Sequence, residues 1–191
     1  MPTAAVDPLP PPALVVLVGT THAGNIGGCA RAMATMGLES MVLAGVVADP
    51  HSDEAIARAS GCEDILVKAS RHRNLDCALA ECNRAYAFTG RRRGLSLPPT
   101  DLRSAAAQMA EDRAGGARIA LVFGPEKTGL NNKDLDRCDC LVSIPVARPG
   151  KSLNLAAAVQ VAGYELFLAG GGALAPKRRS RPTKAQIADL I

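Results

Sequence analysis

Short apolar runs alternate with helix-length stretches along most of the 191 residues. That alternation predicts an α/β domain, a mostly parallel sheet with helices on both faces. Composition agrees: 48% of residues are hydrophobic, yet there are only three Phe, two Tyr and no Trp. Such a core is aliphatic and alanine-rich, which suits close helix–sheet packing. A third observation is that Gly- and Pro-containing loops follow several of the apolar runs, where sheets of this kind hold their ligands.

The opening MPTAAVDPLPPP (1–12) reads as a flexible proline-rich leader. ALVVLV (13–18), bounded by prolines and Gly19, has the length and branching of a buried strand. A Gly/His/Asn loop (19–25) leads into small residues that read as a helix over about 25–37. MVLAGV (41–46) is the next strand, with a helix at about 53–60 behind it. DILVK (64–68) reads as a strand before a helix at 71–84, and AYAFT (85–89) as a strand before a helix at 100–113. RIALVF (118–123) and CLVSIP (140–145) are strands, followed by helices at 130–137 and 152–169. The domain therefore runs over 13–170, and 171–191 is a basic linker. Pro182, Thr183 and Gln186 there look like a capped helix start, as if a further helical extension began where the sequence stops.

The net charge of +4 is concentrated: KRRSRPTK (177–184) holds five cations and no anion, leaving the rest near −1. A mildly acidic body with a basic tail fits a phosphate-rich partner, or equally a solvated linker. The six cysteines form no C-x-x-C pair and no signal peptide is evident, so reduced thiols in a cytoplasmic protein are expected. Apolar stretches fall short of membrane-spanning length. CDC (138–140) has neither a second pair nor a nearby histidine, so no metal is expected.

Four loops at strand ends stand out: 19–25, 89–98, 124–129 and 145–152. In THAGNIGGCARAM (21–33), the spacing Gly24-x-x-Gly27-Gly28 is neither a dinucleotide fingerprint nor a phosphate loop. With Asn25 as cap, Gly24 and Gly27 share a helix face with Arg31. The glycines either clear a path for a sugar or anion to reach Arg31, or permit tight helix packing while Arg31 pairs with a carboxylate such as Glu39. In VFGPEKTGL (122–130), Glu126 is more than a strand-to-helix turn requires. In IPVARPGKSLNLAAAVQ (144–160), Ser152 reads as a helix cap, and Asn154 and Gln160 are amides in an otherwise apolar helix.

HAGNIGGCARAM, LVFGPEKTGL and SLNLAAAVQVAGYE resemble, in order, the three motifs of the SpoU class of SPOUT RNA methyltransferases, and most closely its TrmJ-like branch. Ala23 stands where that class usually has proline, and Pro125 where a basic residue is common. The resemblance spans about 13–170 and implies a deep trefoil knot near the C-terminus, a homodimer, and S-adenosyl-L-methionine bound within the knot. The implied reaction is methyl transfer to a ribose 2′-hydroxyl of tRNA, at position 32 of the anticodon loop. Carried onto this chain, the catalytic positions are Asn25, Arg31, Glu126, Ser152 and Asn154. The cofactor positions are Thr89, Gly90, Arg91, Gly124, Ile144, Ser152, Leu153 and Asn154. RNA contacts fall to Arg31, Arg91, Arg92, Arg93, Lys177, Arg178 and Arg179. In this reading Arg31 stabilises the developing oxyanion and anchors a phosphate, Asn25 and Ser152 orient the ribose, and Glu126 fixes Arg31 or the loops. The alternatives are a ribosomal RNA methyltransferase of the same fold and a non-catalytic module that binds RNA or S-adenosylmethionine.

Overall fold

The computed structural model describes residues 12–90, 99–148 and 152–172. Its centre is one sheet of seven strands: β1 (Leu14–Val18), β2 (Ser40–Ala44), β3 (Ser70–His72), β4 (Arg84–Phe88), β5 (Thr100–Asp101), β6 (Ile119–Phe123) and β7 (Cys140–Ser143). The order is β3-β2-β1-β6-β4-β7-β5 and every pairing is parallel. All carboxyl ends of the strands therefore lie along one edge.

Strand residues alternate between two apolar layers. Val15, Leu17, Tyr86, Phe88, Leu121 and Phe123 face one; Leu14, Val16, Ala85, Ala87, Ala120 and Val122 face the other. The first layer is covered by α1 (Ala23–Thr35), α2 (Asp53–Ala59), α3 (Glu63–Val67), α5 (Leu102–Ala114) and α7 (Leu155–Ala169). Among the described residues the second has the short α4 (Leu75–Leu79) and α6 (Asn132–Leu135), through Leu75, Ala78 and Leu135. Helices on both faces of a parallel sheet is the expected architecture.

Two expectations give way. Residues 64–68 are not a strand: Glu63–Val67 form α3, with acidic residues in its first turn, Ile65 and Leu66 buried and Val67 turned to solvent. A three-residue apolar run cannot by itself separate strand from helix, and here the acidic start decides. The helix expected over 71–84 shrinks to α4, because Ser70–His72 pair with β2 and Arg84 opens β4. The leader (1–11) and the basic segment (173–191) lie outside the described residues.

All six cysteines are free thiols. Burial pushes Cys29 far up and Cys138 up to about 12 from the ordinary 9.0. Tyr86 is also pushed up from 10.0, first by burial and then by the hydrogen bond its hydroxyl donates to Asp112 at 2.5 Å. These groups stay protonated in the fold while the unfolded chain releases their protons, so stability is complete below the ordinary values and falls above them. The urea midpoint is expected to drop as pH rises past 9.0, the thiol value, with a further component beyond 10.0 that Tyr86→Phe removes. A midpoint flat from neutral to strongly alkaline pH would contradict this.

Candidate functional site

The carboxyl edge carries a cleft of about 860 Å³ between the ends of β4, β6 and β7 and the start of α7. Phe88 and Phe123, side by side in β4 and β6, stack at its base with centroids 4.3 Å apart and planes 15° from parallel. Thr89 and Gly90 leave β4, with the Thr89 N–H donating to Val142 O at 2.9 Å. Gly124 leaves β6, and a Cβ there would lie 2.2 Å from the Leu130 nitrogen, so the loop can fold back only over glycine. The Gly129 N–H closes that loop on Pro125 O at 2.8 Å. Ile144, Pro145 and Val146 leave β7, and Ser152, Leu153 and Asn154 return as the opposite wall.

Asn25 and Glu126 meet at the cleft across 101 positions of sequence: Asn25 Nδ2 donates to Glu126 Oε1 at 2.5 Å. The other oxygen, Glu126 Oε2, is buried with no hydrogen-bond partner among the described residues. A buried carboxylate oxygen without a donor is costly, and sites that keep one commonly have a use for it. Cys29 lies behind on α1 in the core; burial first and the Glu126 charge second push its thiol up, so it stays neutral.

Nine of the expected site residues therefore converge: Asn25, Thr89, Gly90, Gly124, Glu126, Ile144, Ser152, Leu153 and Asn154. Arg31 does not join them. It lies further along α1, exposed, with no ion-pair partner among the described residues, Glu39 included. Arg91, Arg92, Arg93, Lys177, Arg178 and Arg179 lie outside the described residues.

Two caps differ from expectation. The α1 cap is His22, with no side-chain hydrogen bond, so Asn25 sits inside the first turn and its amide is free for Glu126. The α7 cap is Asn154, whose Oδ1 accepts from the Ala157 N–H at 2.7 Å, and Ser152 precedes it in the loop beside Gly90. The glycines of α1 are packing residues. A Cβ at Gly27 would lie 2.0 Å from the Ala55 carbonyl oxygen, at Gly24 against the Glu54 side chain, and at Gly28 3.1 Å from Ala156 Cβ. Phe88, Phe123, Leu130, Leu135 and Val146 line the cleft without having been singled out. Their signal was position alone: Phe88 and Phe123 end strands, Leu130 and Val146 lie in the loops after strands, and Leu135 ends α6.

Over 172 residues the chain is 44% identical to the tRNA (cytidine/uridine/adenosine-2′-O-)-methyltransferase TrmJ of Pseudomonas aeruginosa (strain UCBPP-PA14), covering 90% of this chain and 65% of that protein. It is 42% identical over 155 residues to the tRNA (cytidine/uridine-2′-O-)-methyltransferase TrmJ of Pectobacterium atrosepticum, covering 81% of this chain and 64% of the relative. The chain thus spans just under two thirds of the length of these relatives. The crystal structure of TrmJ from Z. mobilis ZM4 superposes with a TM-score of 0.75 at 34% identity, over 81% of this chain and 67% of the other. The profile of the SpoU rRNA Methylase family matches residues 12–164, which takes in all seven strands and every residue of the cleft, and the chain belongs to that family.

Proposed function

We propose that this chain transfers a methyl group from S-adenosyl-L-methionine to a ribose 2′-hydroxyl of tRNA, at position 32 of the anticodon loop. The observation that carries the reading is the meeting of three distant segments at one cleft, with Asn25 on Glu126 and the Glu126 Oε2 left unpaired. The family description favours ribosomal RNA as the second reading, while identity above 40% to two tRNA enzymes favours tRNA.

The residues present fit the methyl donor. Ile144, Val146, Leu153 and Leu130 offer apolar surface for a purine, and the loops after β4 and β7 bring backbone polar groups and the Thr89 and Ser152 hydroxyls to it. When bound, the donor supplies an electrophilic methyl group on a sulfonium. Thr89, Gly90, Gly124, Ile144, Ser152, Leu153 and Asn154 are its proposed binding residues, with Arg91 beyond the described part of the same loop. Transfer to a hydroxyl asks little covalent help of the protein, so position and electrostatics supply the rate. Asn25, held by Glu126, and Ser152 orient the ribose. Arg31, exposed and without an ion-pair partner among the described residues, is left for a strand phosphate and for the charge that grows on the 2′-oxygen. Asn154 holds the start of α7 and so the wall formed by Ser152 and Leu153. Arg92, Arg93, Lys177, Arg178 and Arg179, outside the described residues, are further proposed RNA contacts in this reading.

The proposal includes a homodimer and a knotted C-terminal segment. Leu153, Tyr164, Phe167 and Leu168 expose apolar surface from the cleft along α7, which a second copy would cover. For the knot, the support is topological. β7 lies between β4 and β5, although β4 leads directly to β5, and the chain leaving β7 passes beside Gly90 before α7 packs on α1 and α5. Six free thiols support a reducing, cytoplasmic setting, and among the described residues no helix is long and apolar enough to cross a membrane.

The test is incubation with methyl-labelled S-adenosylmethionine and separate pools of unmodified tRNA and ribosomal RNA. Label in tRNA, mapped to a 2′-O-methyl at position 32, is expected. Label in ribosomal RNA alone would move the reading to its second form, and cofactor binding without transfer to either pool would leave a binding module.

A further inference from the structure

Strand order reverses at the β1–β6 pair: from β1 the chain goes to β2 and β3 on one side, while β6, β4, β7 and β5 lie on the other. The segment after β1 enters α1 on one face, and the segment after β6 enters α6 on the opposite face. Where successive connections part in this way, a crevice opens beyond the strand ends, and open α/β sheets bind ligands there. Here that crevice has a volume of about 320 Å³ and is separate from the methyl-transfer cleft. Pro125, Thr128 and Gly129 line both, so the turn after β6 is a shared wall.

The donors that the lining keeps are on side chains. Gly19 and Gly45 turn the ends of β1 and β2 away at φ of 57° and 61°, with their N–H groups spent on Ala44 O and His72 O at 2.9 Å each. Arg73, just beyond β3, is exposed and has no ion-pair partner among the described residues. Asn74 and Asn131 spend their Oδ1 atoms on the Cys77 and Asp134 N–H groups, each at 3.0 Å. Their Nδ2 donors have no protein acceptor among the described residues. The one carboxylate of the lining, Asp134, accepts from the Asn131 N–H at 3.1 Å. A guanidinium and two spare amide donors around an open volume match a ligand that is anionic and only accepts hydrogen bonds.

We infer that this crevice is an anion subsite that holds a phosphate of the RNA strand whose ribose occupies the neighbouring cleft, with Arg73 as its charged anchor. The inference rests on the reading of the chain as an RNA ribose methyltransferase, and it adds a strand contact on the far side of the 125–129 turn.

Two measurements test it and keep it apart from that reading. In filter binding of an unmodified tRNA transcript across a potassium chloride series, Arg73→Ala is expected to weaken binding and lower the slope of log K against log salt by about one. Arg73→Lys is expected to keep the slope, and S-adenosylmethionine affinity and the rate at saturating RNA stay as in wild type. Affinity and slope unchanged in Arg73→Ala overturn the inference, even where methyl transfer is intact. In the second measurement, inorganic phosphate is titrated while the amide resonances of Gly45 and Gly129 are followed. Shifts in wild type that vanish in Arg73→Ala support the subsite, and do so even where no methyl is transferred. Shifts in neither protein, or equally in both, overturn it. Arg73-dependent phosphate shifts with Arg73-independent RNA binding would assign the crevice to a free phosphate or nucleotide and overturn the strand contact.

Discussion

Arg31→Ala is expected to lower the rate of methyl transfer to tRNA by about 10²–10³-fold, the effect of removing a donor aimed at a developing oxyanion. Affinity for S-adenosylmethionine and thermal stability are expected to stay at wild-type levels, because Arg31 is exposed and lies outside the cleft wall. The competing account is a solvated helix residue held by an acidic neighbour. The structure removes its main support, since Arg31 forms no ion pair with Glu39 or any other described carboxylate. A guanidinium without an ion-pair partner among the described residues is available to substrate. Arg31→Lys keeps the charge and loses the planar fork, so its rate is expected between the two. Single-turnover kinetics at saturating RNA, with calorimetry for the cofactor, provide the check. A rate within about threefold of wild type would reduce Arg31 to a surface residue, and a parallel loss of cofactor affinity would move it into the cofactor site.

The central strands were legible because burial on both faces leaves a continuous apolar run. β1, β4 and β6 lie within one residue of their expected bounds. The edge strands were not legible. Ser70–His72 and Thr100–Asp101 are short and polar, and their strand character comes from the neighbours β2 and β7, not from their own residues. Residues 64–68 failed for the complementary reason: their apolar content fits either state, and the fold buries only one side of it. At the site, Glu126 was visible as a charge that a turn does not need, and the strand-end loops gave part of the cleft, while apolar lining such as Phe88, Phe123 and Leu135 carried no signal beyond its position. The Asn25–Glu126 contact was out of reach, because it links α1 to the end of β6 and depends on a helix start displaced from the expected cap. Arg31 was assigned to the site by its motif, and the fold of one chain leaves it outside the cleft. A sequence carries no distance between a helix surface and a loop that another strand positions.

Gly27→Ala is the substitution with the largest expected effect on stability, and its neighbours show why. Alanine in a helix interior is normally about 1 kcal/mol better than glycine. At position 27 the added Cβ would lie 2.0 Å from the Ala55 oxygen, 2.8 Å from its carbonyl carbon and 3.0 Å from its Cα. These are backbone atoms of α2, whose Ala55 and Ala59 are themselves fully buried, so α1 and α2 must separate. Overpacking of this kind typically costs about 1–3 kcal/mol and sometimes more. The backbone obstacle puts Gly27→Ala at the upper end, a net loss of about 2 kcal/mol after the helix gain. For a chain of this size, that lowers the melting temperature by roughly 4–8 °C. At Gly24 the obstacle is the flexible end of Glu54, and at Gly28 it is Ala156 Cβ at 3.1 Å. Gly24→Ala is therefore expected to be close to neutral, and Gly28→Ala to cost only a few tenths of a kcal/mol. Glycines that cleared a path for a ribose would give the opposite pattern: methyl transfer would fall in Gly24→Ala and Gly27→Ala, while both variants would melt like wild type. Melting curves and transfer rates for the three variants thus separate packing from access, and the 2.0 Å approach to a carbonyl oxygen is why packing is expected to win.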